Sequence, residues 1–277
     1  MKLCDLHTHS IYSDGTSTPD ELIRLAGEAG LCAIALTDHN TVSGIPHFLR
    51  AAKGSAVLAV PGIEVSSDYL GNELHIVGLF RTLDHLDEVE DYVRAYLVRK
   101  EQSNVDLCNN LCAAGYEISY EKVKTATPDG VVNRALIAAE LLRCGYVESI
   151  KAAFATLLSK KGGYYHEPQK PDALEVIGKL REFGAIPILA HPFLSLDEAQ
   201  LRTFLSLAKD AGLVGMETDY STFDEATTAL AHALADEYGL TPSGGSDYHG
   251  TNKPDIRVGT GKGTLAVPFA YYENLIK

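Results

Sequence analysis

The 277-residue sequence predicts an α/β protein built on a barrel or barrel-like sheet and interrupted by one helical insertion. Three observations lead there. Short apolar runs alternate with helix-like segments through the first eighty residues; the same rhythm resumes after residue 163; and the stretch between carries helical periodicity with no convincing strand.

Taken in order, apolar runs at 2–6, 31–37, 56–63 and 73–80 are the first four strands. Between the first two, Thr18-Pro19-Asp20-Glu21 supplies an N-cap hydroxyl, a proline at the first helical position and a glutamate three residues after the cap. A helix over 19–29 follows, and Gly30 ends it. Amphipathic helices at 89–114, 134–144 and 149–160 make up the insertion, broken by Gly115, by Pro128-Asp129-Gly130 and by Gly145. Lys160-Lys161-Gly162-Gly163 marks the return. Helix 171–183, strand 185–190, helix 197–211, strand 214–218, helix 223–238 and strand 240–244 complete the pattern. About seven strand-plus-helix units result. Residues 1–82 and 163–277 are expected to form the barrel and 83–162 the helical subdomain.

With 45% hydrophobic and 22% charged residues the composition is that of a soluble globular chain with ample core. A formal net charge of −13 argues against duplex DNA or an anionic membrane as partner, because either needs clustered Lys and Arg. The same acidity repels small phosphates unless bound divalent cations reverse the local field. Five cysteines (Cys4, Cys32, Cys108, Cys112, Cys144) and an N-terminus without an apolar run suggest a reducing cytoplasm. Cys108 and Cys112 read as small buried residues, since no second Cys or His pair lies near enough to complete a metal clip. No apolar run reaches the roughly 18 residues of a membrane helix.

The polar residues fall at the strand ends. Strand one runs into Asp5-Leu6-His7-Thr8-His9, strand two into Thr37-Asp38-His39 and strand three into Gly62-Ile63-Glu64, while the fourth carries His75. Later strands run into Ala190-His191-Pro192 and Gly244-Gly245-Ser246-Asp247-Tyr248-His249. In parallel barrels the C-terminal strand ends share one face, and catalytic residues sit there. Alternation puts His7 and His9 on one side, and Asp247 and His249 repeat that spacing. Six of the ten histidines (His7, His9, His39, His75, His191, His249), joined by Asp14, Glu64 and Asp247, are thus expected at one rim. Such a mixed set of nitrogen and oxygen donors can hold two or three divalent ions and suits Mn, Fe or Zn. A single histidine on an apolar strand is more often a hydrogen-bonded core residue; the joint placement carries the argument. His47, His85, His166 and His232 fall on helices or loops and read as bystanders.

These segments, with Ser13-Asp14-Gly15 and the closing Gly250, resemble the ordered motifs of the PHP (polymerase and histidinol phosphatase) superfamily, in particular its small stand-alone phosphoesterases, over nearly the whole chain. The resemblance implies a distorted (β/α)7 barrel with a helical insertion and a trinuclear centre. His7, His9, Glu64 and Asp247 would hold the first ion; Glu64, His75 and His191 the second, with Glu64 bridging; and Asp14, His39 and His249 the third. Asp38 is expected to orient a ligand imidazole from behind.

In that chemistry bound divalent ions would acidify a water toward neutrality so that it could serve as the nucleophile on phosphorus, and a cationic side chain would steady the oxygens. Arg134, which opens an insertion helix, is the candidate for substrate binding. Where relatives read Gly-Arg-Pro-His, this chain has Val132-Asn133-Arg134-Ala135-Leu136, keeping the arginine and replacing the histidine. The implied substrate is a small phosphorylated metabolite or nucleotide: a nucleoside 3′,5′-bisphosphate or a cyclic sugar phosphate, with 5′–3′ trimming of short RNA or histidinol phosphate hydrolysis as alternatives. Tyr164 and Tyr165 beside Lys160 and Lys161 read as an exposed loop rather than a base-stacking platform. Two rivals stand further off. Amidohydrolases often bridge their ions with a strand-borne lysine, where this chain offers Glu64; a non-catalytic PHP module should have lost ligands, whereas all nine positions here carry competent side chains.

Overall fold

The structure, a computed structural model, describes residues 2–125 and 132–277, so the break expected at Pro128-Asp129-Gly130 lies outside the described residues. Chain order runs β1 (Leu3–Asp5), α1 (Pro19–Glu28), β2 (Ala33–Leu36), α2 (Ile45–Ala51), β3 (Leu58–Tyr69), β4 (Asn72–Phe80), α3 (Leu86–Ala113), α4 (Tyr120–Thr125), α5 (Arg134–Arg143) and α6 (Ile150–Ala155). It continues through α7 (Ala173–Glu182), β5 (Ala185–Leu189), α8 (Glu198–Ala211), β6 (Gly215–Tyr220), α9 (Glu225–Glu237), β7 (Thr241–Gly245), β8 (Val267–Pro268) and α10 (Phe269–Leu275). The capping box forms as expected: the Thr18 amide donates to Glu21 Oε2 at 2.7 Å and the Glu21 amide to Thr18 Oγ1 at 3.3 Å.

The sheet order is β7-β6-β5-β4-β3-β2-β1-β8. Past their strand ends β1 and β7 meet: Leu6 N–H donates to the Gly244 carbonyl at 3.2 Å, Asp247 N–H to that of His7 at 2.8 Å, and His9 N–H to that of Tyr248 at 2.9 Å. Those bonds join the two ends of the seven-strand run into a distorted barrel. Cys4, Leu6, Ala35, Val60, Leu79 and Ile188 fill its interior, and an outer core of Ile63, Ile76, Leu180, Phe204 and Leu234 lies under α7, α8 and α9. Gly78 permits the close approach there, since a Cβ on it would sit 2.9 Å from Leu180 Cδ2.

Strand β4 departs from the parallel pattern, running antiparallel to both β3 and β5. It forms a hairpin with β3, which extends to Tyr69 rather than stopping at 63. Leu70 and Gly71 make the two-residue turn with φ of 52° and 84°, the positive pair a tight hairpin requires. The polar run Ser66-Ser67-Asp68 masks this extension in the sequence. The short elements α2, α4, β8 and α10 were also not expected, being below the length at which periodicity is readable. Helix α6 ends at Ala155, short of the expected 160.

The chain divides into two compact units, 1–93 with 170–277, and 94–169. The first division falls inside α3. Its first turns place Val89 and Val93 in the barrel unit's outer core, and its later turns place Leu107, Cys108 and Leu111 in a separate core with Val123, Ile137, Leu141 and Leu158. Tyr165 is buried in that second core at 7% exposure, which corrects its reading as an exposed loop residue. Cys108 is buried as expected, whereas Cys112 is exposed; all five cysteines are free. Among the described residues no helix is long and apolar enough to cross a membrane.

Candidate active site

The barrel unit gathers the nine expected residues at one end of its sheet. His7 and His9 follow β1, His39 follows β2, Glu64 lies on β3, His191 follows β5, Asp247 and His249 follow β7, and Asp14 sits in the loop before α1. His75 comes by a different route. It lies near the beginning of β4, opposite Ser66, and reaches the same rim because that strand is reversed.

Glu64 is the hub. Its Oε2 is 3.3 Å from His7 Nε2, 3.3 Å from His9 Nε2 and 3.0 Å from His39 Nδ1, and its Oε1 is 2.9 Å from His75 Nδ1 and 3.1 Å from His191 Nε2. Asp247 Oδ1 lies 3.3 Å from His9 Nε2 and 3.7 Å from His7 Nε2. Asp14 closes the far side, 3.2 Å from His249 Nε2 and 3.8 Å from both His9 Nδ1 and His39 Nε2.

Burial and mutual charge shift the titration of several of these groups. Burial opposes ionisation of Glu64, yet the surrounding His39, His7 and His75 hold its carboxyl well below the usual range. Burial likewise opposes protonation of His9 and His75, but Asp247 and Glu64 raise His9 to about 9, and Glu64 raises His75 to about 10. His39, where burial prevails, falls to about 4. Among the described residues, four buried side-chain atoms make no hydrogen bond: His9 Nδ1, His39 Nδ1, Glu64 Oε2 and Ser246 Oγ. His39 Nδ1 and Glu64 Oε2 are thus 3.0 Å apart without hydrogen-bond geometry, an arrangement costly to bury unless a cation lies among the lone pairs.

Three donor sets have their ligand atoms within 4.8 Å of one another: His7, His9 and Glu64; His39, Glu64 and His75; and His9, Asp14, His39 and His249. Imidazole and carboxylate donors so spaced fit divalent metal ions. His9 and His39 each belong to two sets, a sharing the spacing in the sequence did not indicate.

Glu217, which the sequence reading missed, organises the cluster. Buried on β6, it accepts from His7 Nδ1 at 2.8 Å and from the His191 backbone N–H at 2.6 Å. Against the effect of burial, Glu64 and Glu217 hold the His7 pKa well above the usual imidazole range; a cation displacing the Nε2 proton would leave Nδ1–H on Glu217 and Nε2 as the donor atom. The only available signal was an acidic residue within an otherwise apolar strand. His249 is fixed similarly, its Nδ1 donating to the Asp247 carbonyl at 2.9 Å. Asp5 accepts from the amides of Ser246 and Gly259, both at 2.8 Å, and so ties the end of β1 to the chain after β7. Gly245 is obligatory at this seam, since a Cβ there would lie 2.4 Å from His7 Cβ. Asn40, His191 and Asp247 hold φ of 53°, 28° and 55°, strained values concentrated around the cluster.

One expected role needs correction. Asp38 orients no imidazole; it accepts from the Ser10 amide at 2.8 Å, the Ser10 hydroxyl at 2.7 Å and the Ser13 hydroxyl at 2.6 Å, and so shapes the loop that carries Asp14. Arg134 opens α5 as expected, and its guanidinium carbon lies 4.3 Å from the centroid of the Tyr165 ring. Asp247 has partners the sequence did not suggest: its Oδ2 accepts from the Tyr220 hydroxyl and the Lys253 amine, both at 2.6 Å.

A closed α/β barrel whose mouth buries a histidine and carboxylate cluster suited to divalent ions defines the class of metal-dependent barrel hydrolases. Within it, the chain belongs to the PHP domain family, whose sequence model matches residues 5–183. It is 32% identical to a 5′–3′ exoribonuclease of Haemophilus influenzae over 90% of both chains. It is 31% identical to a phosphoribosyl 1,2-cyclic phosphate 1,2-diphosphodiesterase of Eggerthella lenta over 89% of this chain and 94% of that one. In fold it matches a crystal structure from Bifidobacterium adolescentis, provisionally described as a metal-dependent phosphoesterase, with a TM-score of 0.83 at 22% identity, covering 99% of this chain and 96% of the other. The chain is accordingly a metal-dependent phosphoesterase, an enzyme rather than a degenerate module.

Proposed function

We propose that the enzyme hydrolyses a small phosphorylated metabolite or nucleotide, either a nucleoside 3′,5′-bisphosphate or a cyclic sugar phosphate, at a centre of three divalent ions, with Mn, Fe or Zn as the candidates. The observation that carries this reading is the Glu64 carboxylate, with three imidazoles around one oxygen and two around the other. A carboxylate so placed suits a bridge between two cations. His7, His9 and Asp247 would complete one position, His75 and His191 a second, and Asp14, His39 and His249 a third. Divalent ions there would supply positive charge to phosphoryl oxygens and acidify water toward neutrality.

The protein's own groups do the rest. Glu217 keeps His7 in the tautomer that offers Nε2, Asp38 holds the Asp14 loop, and the Tyr220 and Lys253 pair leaves only Oδ1 of Asp247 for the cluster. Arg134 is proposed to bind substrate. Trimming of RNA from its 5′ end is a second reading, favoured by the H. influenzae relative. Both relatives' names describe phosphoesters of ribose, which supports a ribose-bearing substrate.

The test is phosphate release by chelated protein reloaded with Mn²⁺, with nucleoside bisphosphates, cyclic ribose phosphates, histidinol phosphate and short 5′-phosphorylated RNA as substrates. Turnover of a ribose phosphoester is expected, absent after chelation and absent in Glu64→Ala and His191→Ala. Full activity in those variants would refute the mechanism, and turnover of amides or lactones alone would assign an amidohydrolase instead.

A further inference from the structure

Beside the cluster, within the barrel unit, lies a cavity of ≈ 400 Å³ that none of the roles above uses, and Asp247 is part of its wall. This carboxylate faces two ways, Oδ1 toward His9 and His7, Oδ2 toward Tyr220 and Lys253 on the cavity side. The remaining wall is mainly apolar, built from Leu194, Pro254 and Ile256, with Lys262 and Asp255 adding charge. Leu194 is 57% exposed although it stands three residues from His191.

We propose that this cavity receives the alcohol side of the ester, and that it is shaped for one phosphorylated sugar or nucleoside unit: the ring against Leu194 and Ile256, a sugar hydroxyl on Asp255, and a second phosphate on Lys262. The proposal rests on the cluster being the phosphoester centre. Because Asp247 borders both spaces, an ester whose phosphorus lies at the cluster directs its leaving alcohol into the cavity. The volume lies near the lower end of the roughly 300–1,000 Å³ typical of small-molecule sites, which matches one such unit. An exposed leucine beside a functional cluster gains a reason if an apolar ring covers it. In a chain of net charge −13, an exposed lysine on this wall is a local attractor for a second anion. Lys253, Asp255 and Ile256 follow His249 within seven residues, so one short stretch of chain carries both cluster and cavity residues.

The experiment compares Mn²⁺-loaded wild type, Lys262→Ala and Leu194→Asp on a nucleoside 3′,5′-bisphosphate and on the two corresponding monophosphates. Lys253 is unsuitable as a probe because it holds Asp247. Lys262→Ala should raise KM for the bisphosphate by roughly tenfold with kcat unchanged, as expected for one lost charge-assisted hydrogen bond, and should leave at least one monophosphate unaffected. Leu194→Asp should raise KM for all three. Calorimetric binding of adenosine 5′-monophosphate supplies a readout independent of turnover, and both substitutions should weaken it. Turnover and binding unaffected by either change would overturn the cavity assignment while leaving the phosphoesterase reading intact. Binding that depends on Lys262 and Leu194 in a protein that hydrolyses no phosphoester would support the cavity and sink the reading of the cluster.

Discussion

The barrel unit and the helical unit bury polar groups in opposite ways. In the helical unit such groups find partners: Asn104 donates to the Val132 carbonyl at 2.9 Å, Asn110 to that of Tyr164 at 2.9 Å, and Glu140 accepts from Arg143. In the barrel unit twenty of the described polar residues are buried, and among the described residues all four buried side-chain atoms without a hydrogen bond belong to it. Two of the four are imidazole nitrogens and one is a carboxylate oxygen, all within the proposed metal cluster. Both units have apolar cores; the helical unit partners its buried polar groups, whereas the barrel unit keeps at one rim a few donor atoms that a cation would satisfy. Unsatisfied burial is therefore the structural mark of the site.

That contrast can be broken most decisively at its hub. Glu64→Ala should lower phosphoesterase activity by roughly 10³-fold or more and reduce bound metal, measured by elemental analysis and phosphate release; near-normal values for both would erase the distinction between the units. The matching change in the helical unit is Leu107→Ala. Deleting this fully buried side chain should cost about 2–5 kcal/mol in denaturant unfolding while leaving metal content per folded molecule unchanged. Glu217→Gln sharpens the picture within the barrel, since it spares every proposed ligand. It should weaken metal affinity or activity by about 10–100-fold, and retention of both would reduce Glu217 to a packing role.

The smallest effect is in protons. His7, held well above the usual range by Glu64 and Glu217 against the effect of burial, and His9 and His75, raised to about 9 and about 10, carry protons at pH 7 in the metal-free chain, whereas ligation requires all three rings neutral. His39, at about 4, is already neutral. Loading should therefore release about three protons and strengthen as pH rises toward 9, a slope that calorimetry in buffers of different ionisation enthalpy would measure. Release near zero would contradict the raised values. The same sign governs stability: the metal-free fold holds the full contribution of His9 and His75 below about pH 6.5 and loses it as pH climbs through 9 and 10.

Much of the barrel was legible because each strand there is a short apolar run ended by a polar residue, as in Ala33–Leu36 before Thr37-Asp38-His39. Its irregular parts were not. The extension of β3 carries Ser66-Ser67-Asp68 inside a paired strand, and its reversal into β4 depends on two residues of turn. Asp38 was given the wrong neighbours for a related reason, since its adjacency to His39 in sequence says nothing of which loop folds against it.

The residue types and their periodicity by themselves determined the α/β pattern, the helical interruption and the set of strand-end histidines and carboxylates, because backbone preference and face are local properties. Tertiary structure alone decided who meets whom. Glu217 reaches His7 across 210 positions, His75 arrives by a reversed strand, and His9 and His39 are shared between donor sets. Those contacts exist only once the chain near Leu6 pairs with the chain near Gly244, and no local pattern encodes the register in which a ring of strands closes.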